Sequence, residues 1–342
     1  MKRIGVITSG GDAPGTNACV RTIARRGFAD GVDVFGIFDS WDGLLKGEVR
    51  KLERQDVAGI VQRAGTILRS ARSTLFLKQG DAKIAIDALT RQGLEGVVAI
   101  GGNGSQTAAS LLAQAGFPVV GVPKTIDNDL VGTDFSVGFF TAAEVATQAL
   151  DNLRATAEAH SRVMIVETMG RDSGWIAVEA GIAGGADLVL IPEHEFTLDA
   201  ICERLRTRHE VHKRNYSIVI IAEGAMDKDK KLDPRRGTKD LNARPRLGGV
   251  GTMLALEIER RLGYNARCTT LGYLQRCAAP IAVDRVLATR LSDFAFDLLL
   301  SGKSGLMAAL AGRDLEAVPL ELVAGKTKLV TDDYFRLAEI FG

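Results

Sequence analysis

Apolar runs of strand length recur along this chain, and most end in a turn rich in Gly, Asp or Asn that opens a helical pattern. Ile4 to Thr8 runs into Ser9-Gly10-Gly11-Asp12-Ala13-Pro14-Gly15, after which Thr16 and Asn17 can cap a helix reaching about Phe28. Gly96 to Ile100 ends in Gly101-Gly102-Asn103-Gly104-Ser105-Gln106, with helix-like Thr107 to Gln114 behind it. Phe117 to Val122 ends in Pro123-Lys124-Thr125-Ile126-Asp127-Asn128-Asp129. Val163 to Thr168 ends in Met169-Gly170-Arg171-Asp172-Ser173-Gly174, ahead of a helix from Trp175 to Ile182. This alternation predicts an α/β fold with mostly parallel sheets and right-handed crossovers.

At 342 residues the chain is long enough for about two domains, and 46% apolar residues supply large cores. Forty-three Lys and Arg balance 42 Asp and Glu, which argues against a protein built to coat nucleic acid. Cys19, Cys202, Cys268 and Cys277 form no C-x-x-C pair and the four histidines are scattered, so neither a zinc site nor a disulfide framework is expected. Met1-Lys2-Arg3 leads directly into a strand and no apolar run approaches membrane-spanning length. A soluble cytoplasmic protein with no membrane partner is the expectation.

A turn after a parallel strand lies at the sheet's carboxyl edge, where open α/β folds bind their ligands. A glycine turn opening a helix also aims backbone N–H groups at a phosphate. The turns here contain neither a Walker A closure nor G-x-G-x-x-G. Asp39, ending the strand Val32 to Phe38, keeps a nicotinamide-binding alternative open. In the third turn, Lys124 and Thr125 precede carboxylates at Asp127 and Asp129. That set can neutralise phosphate, hold a metal and take a proton from a hydroxyl. Gly65 to Ser73 forms a basic loop, and the charged stretch Ala225 to Arg246 reads as a mobile surface loop. Asp284 is expected to cap a long apolar helix reaching Leu300, with a peripheral tail beyond it.

Taken in order, Gly10 to Gly15, Gly101 to Ser105, Pro123 to Asp129, Met169-Gly170-Arg171, Glu223-Gly224 and Leu274-Gln275-Arg276 resemble the 6-phosphofructokinase family. The resemblance covers nearly the whole chain. It implies two Rossmann-like three-layer domains, 1–138 plus about 265–305 for the phosphoryl donor and 139–264 plus about 306–342 for the sugar phosphate. It further implies a homotetramer, or a homodimer, acting on ATP and fructose 6-phosphate with Mg²⁺. Asp127 would be the base for the sugar's 1-hydroxyl. Thr125, Lys124 and Arg171 would attend the transferring group, and Asp129 with Asn103 the metal. Gly11, Arg72, Ser73, Gly102, Asn103, Gly104 and Ser105 would surround the donor. Met169, Gly170 and Glu223 would line the sugar. Arg162 and Arg267 from a neighbouring subunit would hold the 6-phosphate, joined by Tyr273 and Arg276. Arg21, Arg25, Arg154, Asp187, Lys213 and Arg214 match an effector site for a nucleotide or phosphoenolpyruvate.

Gly104 leaves room for a nucleotide's α-phosphate, whereas pyrophosphate users of the family carry Asp there. Lys124 points toward pyrophosphate but also occurs in an ATP-using branch. Asn103 stands where Asp is usual, Tyr273 where His is usual, and Cys277-Ala278 where Gly-Gly is usual. If the last turn needs positive φ, Cys and Ala would strain it. These departures leave open a pyrophosphate-dependent enzyme or a sugar-phosphate-binding subunit without turnover. The loop Gly101-Gly102-Asn103-Gly104 also resembles the Gly-Gly-Asp-Gly loop of NAD and lipid kinases, which lack counterparts of Met169-Gly170-Arg171 and Gln275-Arg276.

Overall fold

The computed structural model describes residues 1–71, 73, 75–76, 80–232 and 247–341. In chain order the first elements are β1 (Arg3–Thr8), α1 (Thr16–Asp30), β2 (Asp33–Ile37), α2 (Ser40–Lys46), β3 (Val49–Lys51), α3 (Asp81–Arg91), β4 (Gly96–Gly101), α4 (Asn103–Gln114) and β5 (Val119–Pro123). Then come α5 (Phe139–His160), β6 (Val163–Thr168), α6 (Trp175–Gly184), β7 (Leu188–Leu190), α7 (Leu198–Arg206), β8 (Ser217–Ala222), α8 (Val250–Leu262) and β9 (Ala266–Thr270). The chain ends with α9 (Leu274–Cys277), α10 (Ala282–Leu300), β10 (Leu306–Ala311), β11 (Asp314–Pro319), α11 (Leu320–Val323) and α12 (Asp332–Phe341).

Two compact units result: Met1–Thr141 with Arg276–Thr327, and Ala142–Gln275 with Lys328–Gly342. In the first, the described residues form a seven-stranded sheet of order β11-β10-β5-β4-β1-β2-β3. It is parallel except at its two rims, where β3 and β11 run antiparallel to their neighbours. Parallel strands are covered on both faces, so they read as continuous apolar runs. β4 and β5 are buried throughout, and β1 from Ile4 on. One face packs α1 and α10, through Val20, Ile23, Leu291 and Phe296. The other packs α2, α3, α4 and α11, through Trp41, Leu89, Leu112 and Leu320.

Two expectations are corrected in this unit. Residues 306–327 belong here rather than with the second unit, and 265–275 belong with the second. The reason is that β10 pairs in parallel with β5 and buries Met307, Ala308 and Ala309 completely, so this part of the tail is core rather than periphery. Asp284 does not cap its own helix. Its buried carboxylate accepts from the N–H of Gly138 at 2.8 Å and of Thr141 at 2.7 Å, so it caps the start of α5 instead.

The second unit carries, among the described residues, an all-parallel sheet of order β7-β8-β6-β9. α7 and α8 cover one face through Leu198, Leu205, Leu254 and Ile258. α6 packs on the other, close enough that a Cβ on Gly181 would meet Val189 at 2.6 Å. α7 stops at Arg206, and the next turn, Thr207–Val211, is wider than an α-helix. Of the loop expected at 225–246, residues 233–246 lie outside the described residues. Its start is an ordered turn around buried Asp227, which accepts from the N–H of Asp229 and of Lys231. No helix among the described residues is long and apolar enough to cross a membrane.

Candidate active site

In the first sheet, β1 leads by α1 to β2 on one side, and the chain then returns to build β4 and β5 on the other. The β1–β4 boundary is therefore a topological switch point, where such sheets open a crevice at their carboxyl edge. Three of the expected turns converge there. Ser9 N–H bonds the Ile100 carbonyl at 3.0 Å, and Lys124 N–H bonds the Gly101 carbonyl at 3.1 Å, stitching the ends of β1, β4 and β5 together.

Glycine is required at Gly101, where a Cβ would lie 2.1 Å from Ser105 Oγ. At Gly102 a Cβ would lie 3.4 Å from Thr125, so this loop and the 124–129 turn are in contact. A Cβ on Gly104 would meet nothing within 4 Å, so the first turn of α4 faces open space. A cleft of about 380 Å³ opens beside Gly10, Gly11 and Asp12, with Thr66, Arg69 and Ser70 opposite. Arg69 pairs there with Asp39 at 2.6 Å. Ser73 donates its hydroxyl to Asp42, and Arg72 lies outside the described residues.

The 124–129 turn alternates. Lys124, Ile126 and Asn128 are buried, while Thr125, Asp127 and Asp129 are half-buried. Asn128 adopts φ 50°, a left-handed conformation that Asn tolerates. Its amide holds the loop, donating to the Asp134 carbonyl at 3.3 Å and accepting from Ser136 N–H at 3.1 Å. Thr125 Oγ1 lies 3.3 Å from Asp127 Oδ2 and accepts from Asp127 N–H at 3.2 Å, so threonine and aspartate are placed as one group.

Lys124 is 1% exposed. Its ammonium donates to the carbonyls of Ser9 at 3.0 Å and Gly11 at 2.5 Å, so it pins the first glycine loop from beneath. Burial pushes it down to about 8, with the Arg276 charge acting the same way and Asp12 opposing. Burial also holds the Cys19 thiol of the same interior up at about 12, which leaves it inert. Arg276, expected at the sugar phosphate, packs its guanidinium against Gly11 in the first unit and faces Asp12 at 4.0 Å.

Asn103 Nδ2 donates to Asp129 Oδ2 at 2.7 Å. Since a carboxylate only accepts, this bond sets the amide's orientation. It leaves Asn103 Oδ1 buried without a hydrogen-bond partner among the described residues. No group of three or more His, Cys, Asp or Glu among the described residues is placed to hold a metal ion.

In the second unit the motif turns also interlock. Gly170 takes φ 142° and Arg171 φ 53°. Arg171 N–H donates to Glu223 Oε1 at 3.3 Å, and a Cβ on Gly224 would lie 1.9 Å from the Arg171 carbonyl. The two motifs are thus halves of one contact. Arg171 Nε lies 3.6 Å from Asp172. Tyr273 is 72% exposed on the turn after β9. The strain considered at Cys277-Ala278 does not arise, because neither has positive φ. Met169 follows the carboxyl end of β6, whereas Arg162 precedes its start and Arg267 lies beside it on β9. Six strand residues separate these ends by about 20 Å. One chain therefore does not bring its Arg162 and Arg267 to its own Met169 turn.

Of the effector candidates, Arg21 and Arg25 lie on α1 in the first unit and the other four in the second. Arg154 donates to the carbonyls of Gly184 and Gly185, closing the end of α6. Asp187 pairs with Arg208 at 2.6 Å and accepts from Ile218 N–H at 2.7 Å, and burial pushes its carboxyl up.

Two acids outside the sequence motifs also hold backbone N–H groups here. Glu167, 1% exposed, accepts from the N–H of Gly249 at 2.8 Å and of Gly251 at 2.7 Å, capping α8. An acid inside the apolar strand Val163 to Thr168 was the available signal, because a buried charge needs partners. Glu193 accepts from Gly174 N–H at 3.0 Å. It follows a short strand and a proline, and nothing local distinguishes it.

A model of the family described as Phosphofructokinase matches residues 3–299. The pyrophosphate–fructose 6-phosphate 1-phosphotransferase of Amycolatopsis methanolica is 44% identical over 340 residues, 99% of each chain. The ATP-dependent 6-phosphofructokinase 3 of Streptomyces coelicolor is 44% identical over 338 residues, 98% of this chain and 99% of its own. Among solved structures, a pyrophosphate-dependent phosphofructokinase from Nitrosospira multiformis superposes with a TM-score of 0.84 over 99% of this chain and 92% of that one. At 20% identity that likeness shows a shared fold alone.

Proposed function

The chain belongs to the phosphofructokinase family, and on that footing we propose that it moves the γ-phosphoryl group of ATP to the 1-hydroxyl of fructose 6-phosphate, giving fructose 1,6-bisphosphate. The observation that carries this reading is the half-buried Asp127 tied to Thr125 beside two glycine loops. Asp127 accepts the proton of the attacking hydroxyl. Thr125 and Arg171 stabilise charge on the migrating group. Gly11 and Gly102 to Ser105, with Arg72 and Ser73, receive the donor. Phosphoryl transfer asks for little beyond this positioning and charge neutralisation.

The orphaned Oδ1 of Asn103 beside Asp129 fits Mg²⁺, which takes few protein ligands when substrate phosphates supply the rest. Asn103 and Asp129 are the residues that would hold it. When bound it neutralises donor phosphate charge.

Met169, Gly170 and Glu223 orient the sugar in this reading. Arg162 and Arg267 bind the 6-phosphate of a neighbouring copy's site, since within one chain they stand at the opposite end of β6. Tyr273 and Arg276 of the site's own chain complete it. The forked guanidinium groups of Arg162, Arg267 and Arg276 suit a phosphate. A cytoplasmic homotetramer with a nucleotide or phosphoenolpyruvate effector at Arg21, Arg25, Arg154, Asp187, Lys213 and Arg214 belongs to the same proposal.

The open space at Gly104 supports ATP over pyrophosphate, because nothing crowds the first turn of α4. Lys124 weighs little against it, since its ammonium is directed at the carbonyls of Ser9 and Gly11. Pyrophosphate is the second reading, favoured by relatives of equal identity that are named for it. Product formation from fructose 6-phosphate and Mg²⁺ with either donor separates them. ATP is expected to give at least about tenfold higher kcat/KM, a difference of about 1.4 kcal/mol, and a preference for pyrophosphate reverses the donor assignment. Asp127→Asn is expected to lower kcat by about 10²- to 10⁴-fold. Turnover at the wild-type rate in that variant removes Asp127 as the base.

A further inference from the structure

The turn bearing Arg171 is fastened to a segment that lies far away in sequence. Glu193 Oε1 accepts from Gly174 N–H at 3.0 Å, at the start of α6, and from Val330 N–H at 3.0 Å. Glycine at 174 permits this approach, because a Cβ there would meet Ile191 at 2.3 Å and Glu193 Oε2 at 3.0 Å. The next residue repeats the pattern, with the indole N–H of Trp175 donating to the Lys328 carbonyl at 3.1 Å. Tyr334 packs its ring 5.6 Å from Trp175 and donates its hydroxyl to Glu179. His194 stacks on Phe335 at 4.1 Å and lies 3.3 Å from Asp332. Residues 328–335 therefore touch the two ends of one short path, Gly174 to Glu179 and Glu193 to His194. A surface helix that needed only a seat would be held by apolar packing. The segment leading into this one is also linked, through the Glu193 carboxylate, to the Gly174 N–H that closes the Gly170–Gly174 turn.

We propose that Glu193 is a positioning residue for Arg171, and that the C-terminal segment acts through it as a clasp that keeps the Arg171 turn in its working geometry. Arg171 and Gly170 both hold positive φ, so the turn has little tolerance for drift once Gly174 is released. Glu193 accepts from Gly174 on one side and from Val330 on the other with a single oxygen, so movement of the C-terminal segment is transmitted to the turn. This inference rests on the reading that Arg171 stabilises the migrating phosphoryl group.

The test is steady-state kinetics on full-length variants. Glu193→Ala is expected to lower kcat about 10- to 100-fold, the scale of an ångström's misplacement, with the donor KM within about twofold of wild type. Glu193→Gln keeps an oxygen that can accept both N–H groups, and it is expected to restore kcat to within about threefold of wild type. Phe335→Ala loosens the seat of α12 and is expected to lower kcat about threefold. Combined with Glu193→Ala it should add nothing, because both act on one linkage. Arg171→Ala is the control. If it lowers kcat and Glu193→Ala does not, the clasp is overturned while the function stands. If Arg171→Ala leaves kcat unchanged, the reading of Arg171 itself is overturned. Equal losses in Glu193→Ala and Glu193→Gln, or additive losses in the double variant, also overturn the clasp.

Discussion

The two sheets fix their functional turns with opposite chemistry. In the first unit the fastener is a buried cation: Lys124 binds the carbonyls of Ser9 and Gly11. In the second the fasteners are carboxylates: Glu223 takes the N–H of Arg171, Glu193 that of Gly174, and Glu167 those of Gly249 and Gly251. A loop anchored by its carbonyl oxygens is suited to turn N–H groups toward an anion. A turn whose N–H groups are already engaged presents side chains instead. The contrast is what the proposed function asks for, with a phosphate-rich donor at the first sheet and a sugar held by side chains at the second.

Removing the cation is the most direct way to break this contrast. Lys124→Met is expected to destabilise the protein by about 3 kcal/mol, since it removes the donor from the buried Ser9 carbonyl and the half-buried Gly11 carbonyl. It should raise the donor KM about tenfold, equivalent to about 1.4 kcal/mol of donor binding, and leave the sugar-phosphate KM unchanged. Thermal melts and initial rates check both, and an equal rise in the two KM values would erase the distinction between the units.

Alkaline pH sharpens it further. The buried Lys124 has a value of about 8, against an ordinary 10.5. Between those values the unfolded chain holds a proton that the folded chain has released, so this group's contribution to stability rises with pH. The stability gap between wild type and Lys124→Met should therefore widen by about 2 kcal/mol from pH 7 to pH 10. Denaturant unfolding at each pH measures it, and a gap that narrows contradicts a buried, charged lysine at neutral pH.

Glu167→Gln makes the smallest change. An amide cannot accept at both of its atoms, so one α8 N–H loses its partner at about 1 kcal/mol. The sugar-phosphate KM should rise a few-fold with the donor KM fixed. A change confined to the donor side would place Glu167 in the wrong unit's chemistry.

Local features were legible from sequence and distant ones were not. The glycine turns at 10–15, 101–106 and 169–174 announce themselves because backbone conformation and strand ends are written in neighbouring residues. The element sequence followed, and with it the parallel sheets. The destinations of long side chains did not. Lys124 looked like a phosphate ligand because its type and position suit one, yet its ammonium turns inward. Asp284 sits in the first turn of α10, where an acid ordinarily serves its own helix, but it caps one that begins 145 residues earlier. The β10–β11 hairpin reads as periphery from sequence because its strands, though six residues each, carry no mark of the sheet they join.

The open space around Gly104 has an evolutionary consequence. Its backbone is not left-handed, and a side chain there would displace nothing, so substitution costs the fold almost nothing. Most positions that shape a ligand site are locked by packing, and a lineage can alter them only after acquiring compensating changes. Under the proposed donor reading, this one is a toggle accessible in a single mutational step, with folding exerting no veto. Lineages that differ by such a step can diverge in energy currency while remaining equally similar everywhere else.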